Sequence, residues 1–587
     1  MLSILTTPLF AHQKGPALIA LLLILIYAHP LVAQSVSDKS VVFDVKSTIS
    51  LSTISRTQAA NAALIDSNNG GSRQAAINSD DGNLNFEKGL ISGRISLKHD
   101  STVRYRNHGG VLKLSYFYDP ILNRNKNLSS QSRADLSRQF SVKEAFLYSS
   151  LSRHNKNLDI SIGNQIINWS ESNFYPQPLK NINPMNFDQL RDLSNTYTDA
   201  LITLPMLRIF NQLHANLSIE GFYSLKFKKS VLDPKGSYFS HNDVLSPNAE
   251  YLVSGFGFAN ETGTIQGTPI PTGFFYIPRI SDKSVSNSHE FGAAFRWTIE
   301  SLNHSEISLY VLQLNSRMPI LSFIAGNGAP NSASYFAEYP EKIRNIAISI
   351  NTTNQNGDMA FHGEFSYSNN TPFQIETTEL AMAANQIKTT DDNVASQLGL
   401  FSPGETINGF RTFKVSRLLL SLTKLMPYHK LIRANSWRFT TELSVMRIHD
   451  LSHPQELRFE APGTLLPARN DISINTGNGP LPVPSQVSGI ADDFSWGYRA
   501  MTQANYPVSS IGGSVSPRFI FYHDVKGTSP EPGADLVEGR KKAVVEMIVD
   551  YNKSLEFKLS YTKYFGAPNR NMLADRDYLS FNAKYPF

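Results

Sequence analysis

At 587 residues the chain balances 54 Lys and Arg against 49 Asp and Glu, and its formal charge of +5 is dispersed, which excludes the clustered basic footprint of a nucleic-acid partner. The absence of cysteine excludes disulfide scaffolds, thiolate metal sites and cysteine nucleophiles together. Aromatic residues make up 11% of the chain, with a mean hydropathy of -0.24, which suits alternating rather than segregated apolar and polar residues.

The first element is the apolar run "ALIALLLILIYA", Ala17 to Ala28, preceded by Lys14 and followed by Ala33. It is too short to span a bilayer comfortably as a helix. A weakly basic start, an apolar stretch and a small residue predict a signal peptide over residues 1–33, leaving 34–587 as a single domain. From Val41 a different pattern begins. In "VVFDVKSTISLS", Phe43, Val45, Ile49 and Leu51 alternate with Asp44, Lys46, Thr48 and Ser50, the period of a strand with two different solvents on its faces. "LISGRISLKHD", "LSIEGFYSLKF", "HEFGAAFRWTIE", "SWRFTTELSV" and "LEFKLSYTKYF" repeat it, whereas "VKEAFLYSSL" and "FKVSRLLLSL" alternate poorly. About eighteen such segments are present, with sixteen as the alternative, each near the length of a tilted membrane strand. The chain closes on "DYLSFNAKYPF", where Leu579, Phe581, Ala583, Tyr585 and Phe587 share one face.

Connections between these segments are of two kinds. Short ones stand near His154, Leu302, Asn354, Ser509 and Tyr551. Long ones run near 57–86, 119–139, 170–205, 228–287, 317–341, 370–409, 450–492 and 526–540. A compact soluble domain rarely carries so many long loops. Short turns at one end and long loops at the other predict an all-β fold, a transmembrane antiparallel β-barrel of the outer-membrane type, with periplasmic turns, extracellular loops and an even strand count.

Several motifs in series carry a resemblance. "DDGNLNF" (Asp80 to Phe86), "GNQIINWSES" (Gly163 to Ser172), "NINPMNFDQLR" (Asn181 to Arg191), "LDPKGSYFSHND" (Leu232 to Asp243), "YPEKIRNIAISINTT", "FSWGYR", "PRFIFYHDVKG" and "ADRDYLSF" follow one another through the mature chain. In these the chain resembles the proteobacterial outer-membrane domain-of-unknown-function family thirteen-oh-two. Ser170 departs from it, since the family usually has glycine after the tryptophan. The resemblance implies an outer-membrane barrel of a Gram-negative bacterium, often encoded near components that handle lipids or hydrophobic compounds, and it supplies no established activity. A barrel of this kind is expected among outer-membrane lipids and lipopolysaccharide, with barrel-assembly machinery and periplasmic chaperones as partners in its biogenesis.

If the apolar face meets lipid, the polar face lines the lumen, because a charge at the bilayer midplane costs several kcal/mol. The expected pore-lining set is Lys46, Arg94, Lys98, Lys113, Glu220, Glu290, Arg296, Glu364, Arg438, Glu442, Arg499, Arg518 and Lys558. Its mixed signs argue against a strongly selective pore. The third loop, rich in Asn and Pro, is expected to be an ordered constriction carrying Trp169, Glu171, Lys180, Asp188 and Arg191. Phe256, Phe258, Phe274, Phe275 and Phe323 are expected to form an apolar mouth for hydrophobic capture, the alternative being that these loops pack on one another as a cap. "SDDGNLN" loosely resembles a calcium loop but lacks the bidentate Glu, so no metal or cofactor is assigned. His523 and Asp524 are adjacent, yet no nucleophile elbow or metal-spaced histidine pair appears, and no enzyme is expected. The reading is a passive channel for small, hydrophobic or amphipathic substrates; the alternatives are an adhesive or structural surface barrel and, behind it, an outer-membrane hydrolase. Tyr585 and Phe587 resemble the signal read by the assembly machinery.

Overall fold

The computed structural model describes residues 41–587 apart from 154–155, 261–263, 266–267, 270–275, 287–288, 330, 390, 392, 430–431, 476–479 and 534; residues 1–33, expected to be a signal peptide, lie outside the described residues. Eighteen strands form one antiparallel sheet closed on itself. In chain order these are β1 (Val41–Arg56), β2 (Gly89–Tyr105), β3 (His108–Tyr118), β4 (Arg138–Arg153), β5 (Lys156–Gln165) and β6 (Leu204–His214). Next come β7 (Leu217–Ser224), β8 (Glu290–Ile299), β9 (Ser305–Leu314), β10 (Ile343–Thr353), β11 (Met359–Gln374) and β12 (Phe410–His429). The last six are β13 (Ala434–His449), β14 (Phe494–Val508), β15 (Gly513–Lys526), β16 (Lys541–Tyr551), β17 (Leu555–Phe565) and β18 (Tyr578–Pro586). Each pairs with its neighbour in sequence, and β18 pairs with β1 from Arg56 opposite Tyr578 to Thr48 opposite Pro586. Phe587 extends this seam: it and Ser47 exchange both backbone hydrogen bonds, each 2.8 Å. Closure leaves no unpaired strand edge, as a chain in hydrocarbon requires.

The alternation read in the sequence is the wall of this barrel. On β1, Ile49 and Leu51 are 44% and 46% exposed whereas Ser50 and Ser52 are 3% and 4% exposed. Phe291, Phe295 and Trp297 on β8, Leu309 and Val311 on β9, and Ile346 and Ile348 on β10 face outward in the same way. The two poorly alternating segments have separate causes. On β4 the register with β3 slips beside Lys143, so the outward set changes from Phe140 and Val142 to Leu147 and Leu151. On β12, Leu419 points inward but packs with Tyr175 and Leu536, which makes that strand apolar on both faces.

Short connections such as 106–107, 215–216, 300–304, 354–358, 509–512 and 552–554 share the end at which β1 begins and β18 finishes. Asn303, His304, Asn552 and Lys553 take the left-handed backbone conformation there. Long loops occupy the other end: 57–88, 119–137, 166–203, 225–289, 315–342, 375–409, 450–493, 527–540 and 566–577, referred to below as the first to ninth. The ninth was not marked in the sequence, and the sixth begins after Gln374 because β11 continues through Asn370 past a register shift.

An apolar core sits over the barrel mouth. Leu252 and Ile277 of the fourth loop, Leu321, Phe323 and Tyr335 of the fifth, Leu380 and Ile407 of the sixth and Phe459 of the seventh pack on Phe373, Val415 and Ile448 at the strand ends. Arg458 and Glu376, both fully enclosed, form an ion pair of 2.6 Å inside this cap.

Candidate functional site

The third loop enters the lumen from β5 and crosses it. Asn183 ties the loop's two ends together: its Oδ1 accepts from the Ile167 N–H at 2.8 Å, and its Nδ2 donates to the carbonyls of Gln165 and Ile202. Trp169 packs edge-on against Phe222 and beside Tyr310, with the Arg296 guanidinium 5.9 Å from its ring. The Ser170 hydroxyl then donates to Glu364 on β11 at 2.7 Å.

The far wall holds the loop most tightly at Glu442 on β13. Its carboxylate accepts from the Asn173 N–H at 2.6 Å, the Asn173 side-chain amide at 3.0 Å, the Phe174 N–H at 3.0 Å and the Ser172 hydroxyl at 3.3 Å. Beside it Tyr175 lies against the Arg499 guanidinium, 4.4 Å from ring centre, and Phe174 meets Tyr522 of β15. Lys180 turns back, donates to the Ser172 carbonyl at 2.8 Å and lies 4.3 Å from the Tyr197 ring. Burial pushes its pKa down to about 8, against the opposing pull of Glu442 and Glu364.

The returning half docks on β1 and β2. Asn186 caps the short helix Phe187–Arg191. Arg94 on β2 meets Asp188 at 3.1 Å and Asp192 at 3.5 Å, and Ser52 on β1 donates to Asp192 at 2.9 Å. Arg191 reaches Asp233 of the fourth loop at 3.3 Å and lies over Phe239. Thr196 and Asp199 form a capping box on the helix Tyr197–Ala200, whose Asp199 receives Lys98 at 2.8 Å. Burial pushes the Asp199 carboxyl up, but Lys98 and the Thr196 donors outweigh it and hold it below its ordinary value. Six of the strand charges named from alternation, Arg94, Lys98, Arg296, Glu364, Glu442 and Arg499, thus meet at this loop. Glu171 is exposed on it, Trp169 and Lys180 are buried, and Asp188 and Arg191 are half-buried.

Other lumen charges pair along the wall. Glu220 receives Arg208 at 2.6 Å and Arg296 at 2.8 Å; Arg518 pairs with Glu546; Arg438 donates to Gln503 at 3.1 Å. Glu290 does not line open space: Arg317 of the fifth loop covers it at 2.9 Å, at the barrel rim. Lys558 stands on the inward face of β17, in step with Ser560 and Thr562. Below the third loop, a cavity of about 750 Å³ is walled by Lys46, Lys98, Lys113, Lys143, Lys553 and Lys584 together with Asp100, Asp199, Asp550 and Glu556. Lys46 is opposite Asp100, Asp100 opposite Lys113, and Lys113 is paired with Glu144, a cross-strand ladder of alternating sign.

The apolar mouth expected from the sequence is not what the loops build. Phe256 is buried with Ile77, Val253, Met382, Ile472 and Val483, and Phe258 packs on the same cluster. Phe323 is fully enclosed in the cap core. Phe274 and Phe275 lie outside the described residues. These side chains are a core between loops, because each apolar stretch finds its partner in another loop rather than in solvent. His523 and Asp524 also separate: Asp524 faces inward and binds Arg499 and Arg540 at 2.6 and 2.7 Å, while its neighbour alternates to the other face. Sequence reasoning missed the Arg458–Glu376 pair, for which neither residue's surroundings carry a local signal.

No curated protein matches the chain. Among solved structures it is similar to a BenF-like porin from Pseudomonas fluorescens Pf-5, with 9% identity, 93% of this chain and 98% of that chain covered, and a TM-score of 0.43. It is similar to OccAB1 of Acinetobacter baumannii at 9% identity, with 94% and 97% covered and a TM-score of 0.40. It is also similar to OpdK of Pseudomonas aeruginosa, solved with vanillate, at 8% identity, with 93% and 98% covered and a TM-score of 0.38. Likeness at this level bears on neither cargo nor mechanism. The family model described as "Protein of unknown function (DUF1302)" matches residues 14–587, the stretch that carries every strand of the barrel and every loop of the lumen, and the chain belongs to that family.

Proposed function

We propose that the protein is a passive channel of a Gram-negative outer membrane, in which the third loop sets the aperture and the lysine-rich chamber beneath it receives small solutes. Support for the membrane comes from the belt of outward apolar side chains, which only hydrocarbon would cover. The observation that carries the channel is the chamber itself. An eighteen-stranded barrel is wider than its own wall side chains fill, and here a single loop divides it, leaving about 750 Å³ of charged, water-accessible space on the side of the short turns.

Six lysines face four carboxylates there, and Lys98 and Lys113 are already paired. The excess favours small anions and amphipathic molecules with an anionic group, weakly, since the signs remain mixed. Capture of hydrophobic molecules at an exposed aromatic mouth is no part of the proposal, because Phe256 and Phe323 are buried and Phe258 packs on the same loop core as Phe256. Neither is catalysis, since Glu442 is spent on the third loop, and Glu220 and Asp524 on guanidiniums. Reversal potentials in a salt gradient test the selectivity: a modest anion preference is expected, and replacing Lys46, Lys143 and Lys584 by Gln should abolish it. A cation preference in the unaltered protein would contradict this reading.

A further inference from the structure

The first loop carries Asp80 and Asp81, and the fourth carries Asp243. One carboxylate oxygen from each lies within 4.8 Å of those of the other two. Asp80 and Asp243 are 0% and 3% exposed. Each is held by its Oδ2: that of Asp80 accepts from the Asp66 N–H at 2.9 Å and the Asn69 amide at 3.0 Å, and that of Asp243 accepts from the Asp81 N–H at 3.2 Å. The Oδ1 of both is buried with no hydrogen-bond partner. Two buried carboxylate oxygens without a donor are costly, and burial together with the neighbouring acids pushes Asp80 up to about 6 and Asp243 well up.

The surrounding backbone is fixed independently. Asn78 binds Val253 through both its amide and carbonyl groups, at 2.8 and 2.9 Å, which locks the two loops together beside the cluster. Gly82, the next residue, has no room for a side chain: a Cβ there would lie 2.5 and 2.6 Å from the carbonyl oxygens of Ser237 and Ser240, so peptide oxygens of the fourth loop crowd against the acidic turn. Carboxylates are the hard oxygen donors that a divalent calcium-like ion takes. Two cations are already near: Lys235, whose Nζ is 3.4 Å from Asp81 Oδ2, and Arg576, whose guanidinium donates to the Gly82 carbonyl at 2.7 Å and the Asn83 Oδ1 at 2.8 Å.

From this geometry we infer that Asp80, Asp81 and Asp243 form a calcium site that clamps the first loop to the fourth over the barrel mouth. The local motif lacks an acid at the position where a calcium loop has its last ligand, and Asp243 supplies that ligand from a different loop. The clamp occupies the outer end of the barrel, where millimolar divalent ions suit a site of this charge.

Equilibrium dialysis of the full-length, detergent-folded protein against radioactive calcium tests it. One ion per chain is expected, with a dissociation constant on the order of 10⁻⁴ to 10⁻³ M, weakened at least tenfold in Asp80→Asn and in Asp243→Asn. Lys235→Met should tighten binding, since it removes the competing ammonium. Because an Asn variant that misfolds reports nothing about the site, the unaltered protein carries the decisive result. An absence of saturable binding up to about 10 mM calcium, or binding unchanged in two well-folded Asn variants, would overturn the assignment.

Discussion

Glu442 shows how much of the lumen rests on single residues. Parity within "SWRFTTELSV" places it on the inward face, but nothing local says that it would accept four hydrogen bonds from the third loop. Such contacts join residues more than 260 positions apart and leave no periodic trace. Replacing Glu442 by Leu strands the Asn173 and Phe174 N–H groups and should cost about 2 kcal/mol or more of loop docking, seen as a severalfold rise in single-channel conductance with the barrel still folded. Lys180 gives a pH test. Its pKa near 8 means that the loop carries this charge at pH 7 and loses it by pH 9. Anion preference should therefore fall over that interval, and fall less in Lys180→Met. Stability moves the opposite way: the unfolded lysine keeps its proton up to its ordinary value, so alkalinity between about 8 and 10 relieves the cost of burying it and stability should rise.

At the scale of elements, strands were legible and loop packing was not. Alternation located most strands because each face meets one solvent along its whole length, and it failed where that condition fails, at the Lys143 bulge and at the inward Leu419. The aromatic loop residues misled for a related reason: an apolar run in a loop reads the same whether it is exposed or covered by another loop, and Phe323 and Phe256 are covered. Within the cap, Arg458→Met would leave Glu376 buried without its guanidinium. A loss of about 3–5 kcal/mol is expected, detectable as earlier protease cleavage in the sixth and seventh loops while the strands stay protected. At the barrel seam, removing Phe587 deletes two backbone hydrogen bonds to Ser47 as well as the Tyr585 stack. The yield of folded barrel in the membrane should drop, and an unchanged yield would exclude a role for this residue in closure or assembly.

For the whole molecule, the sequence conveyed a closed barrel, its even strand count and which end bears the long loops, because these follow from segment lengths and spacings alone. It conveyed less of what fills the barrel, which is set by contacts between distant loops. The cap is a titrating body: burial pushes Glu460 and Glu531 up to about 7 and raises Glu379. Folded carboxyls with raised pKa hold protons that the unfolded chain has released, so cap stability should fall as pH rises from about 5 to 7 and level off above, measurable as loop hydrogen exchange in a chelator. The central claim, a channel throttled by its third loop, is tested most directly in planar bilayers by comparing the unaltered protein with a variant lacking Asn173 to Asp199. Small, steady openings that enlarge severalfold on deletion are predicted; silence from both proteins, or equal conductance in the two, would contradict it.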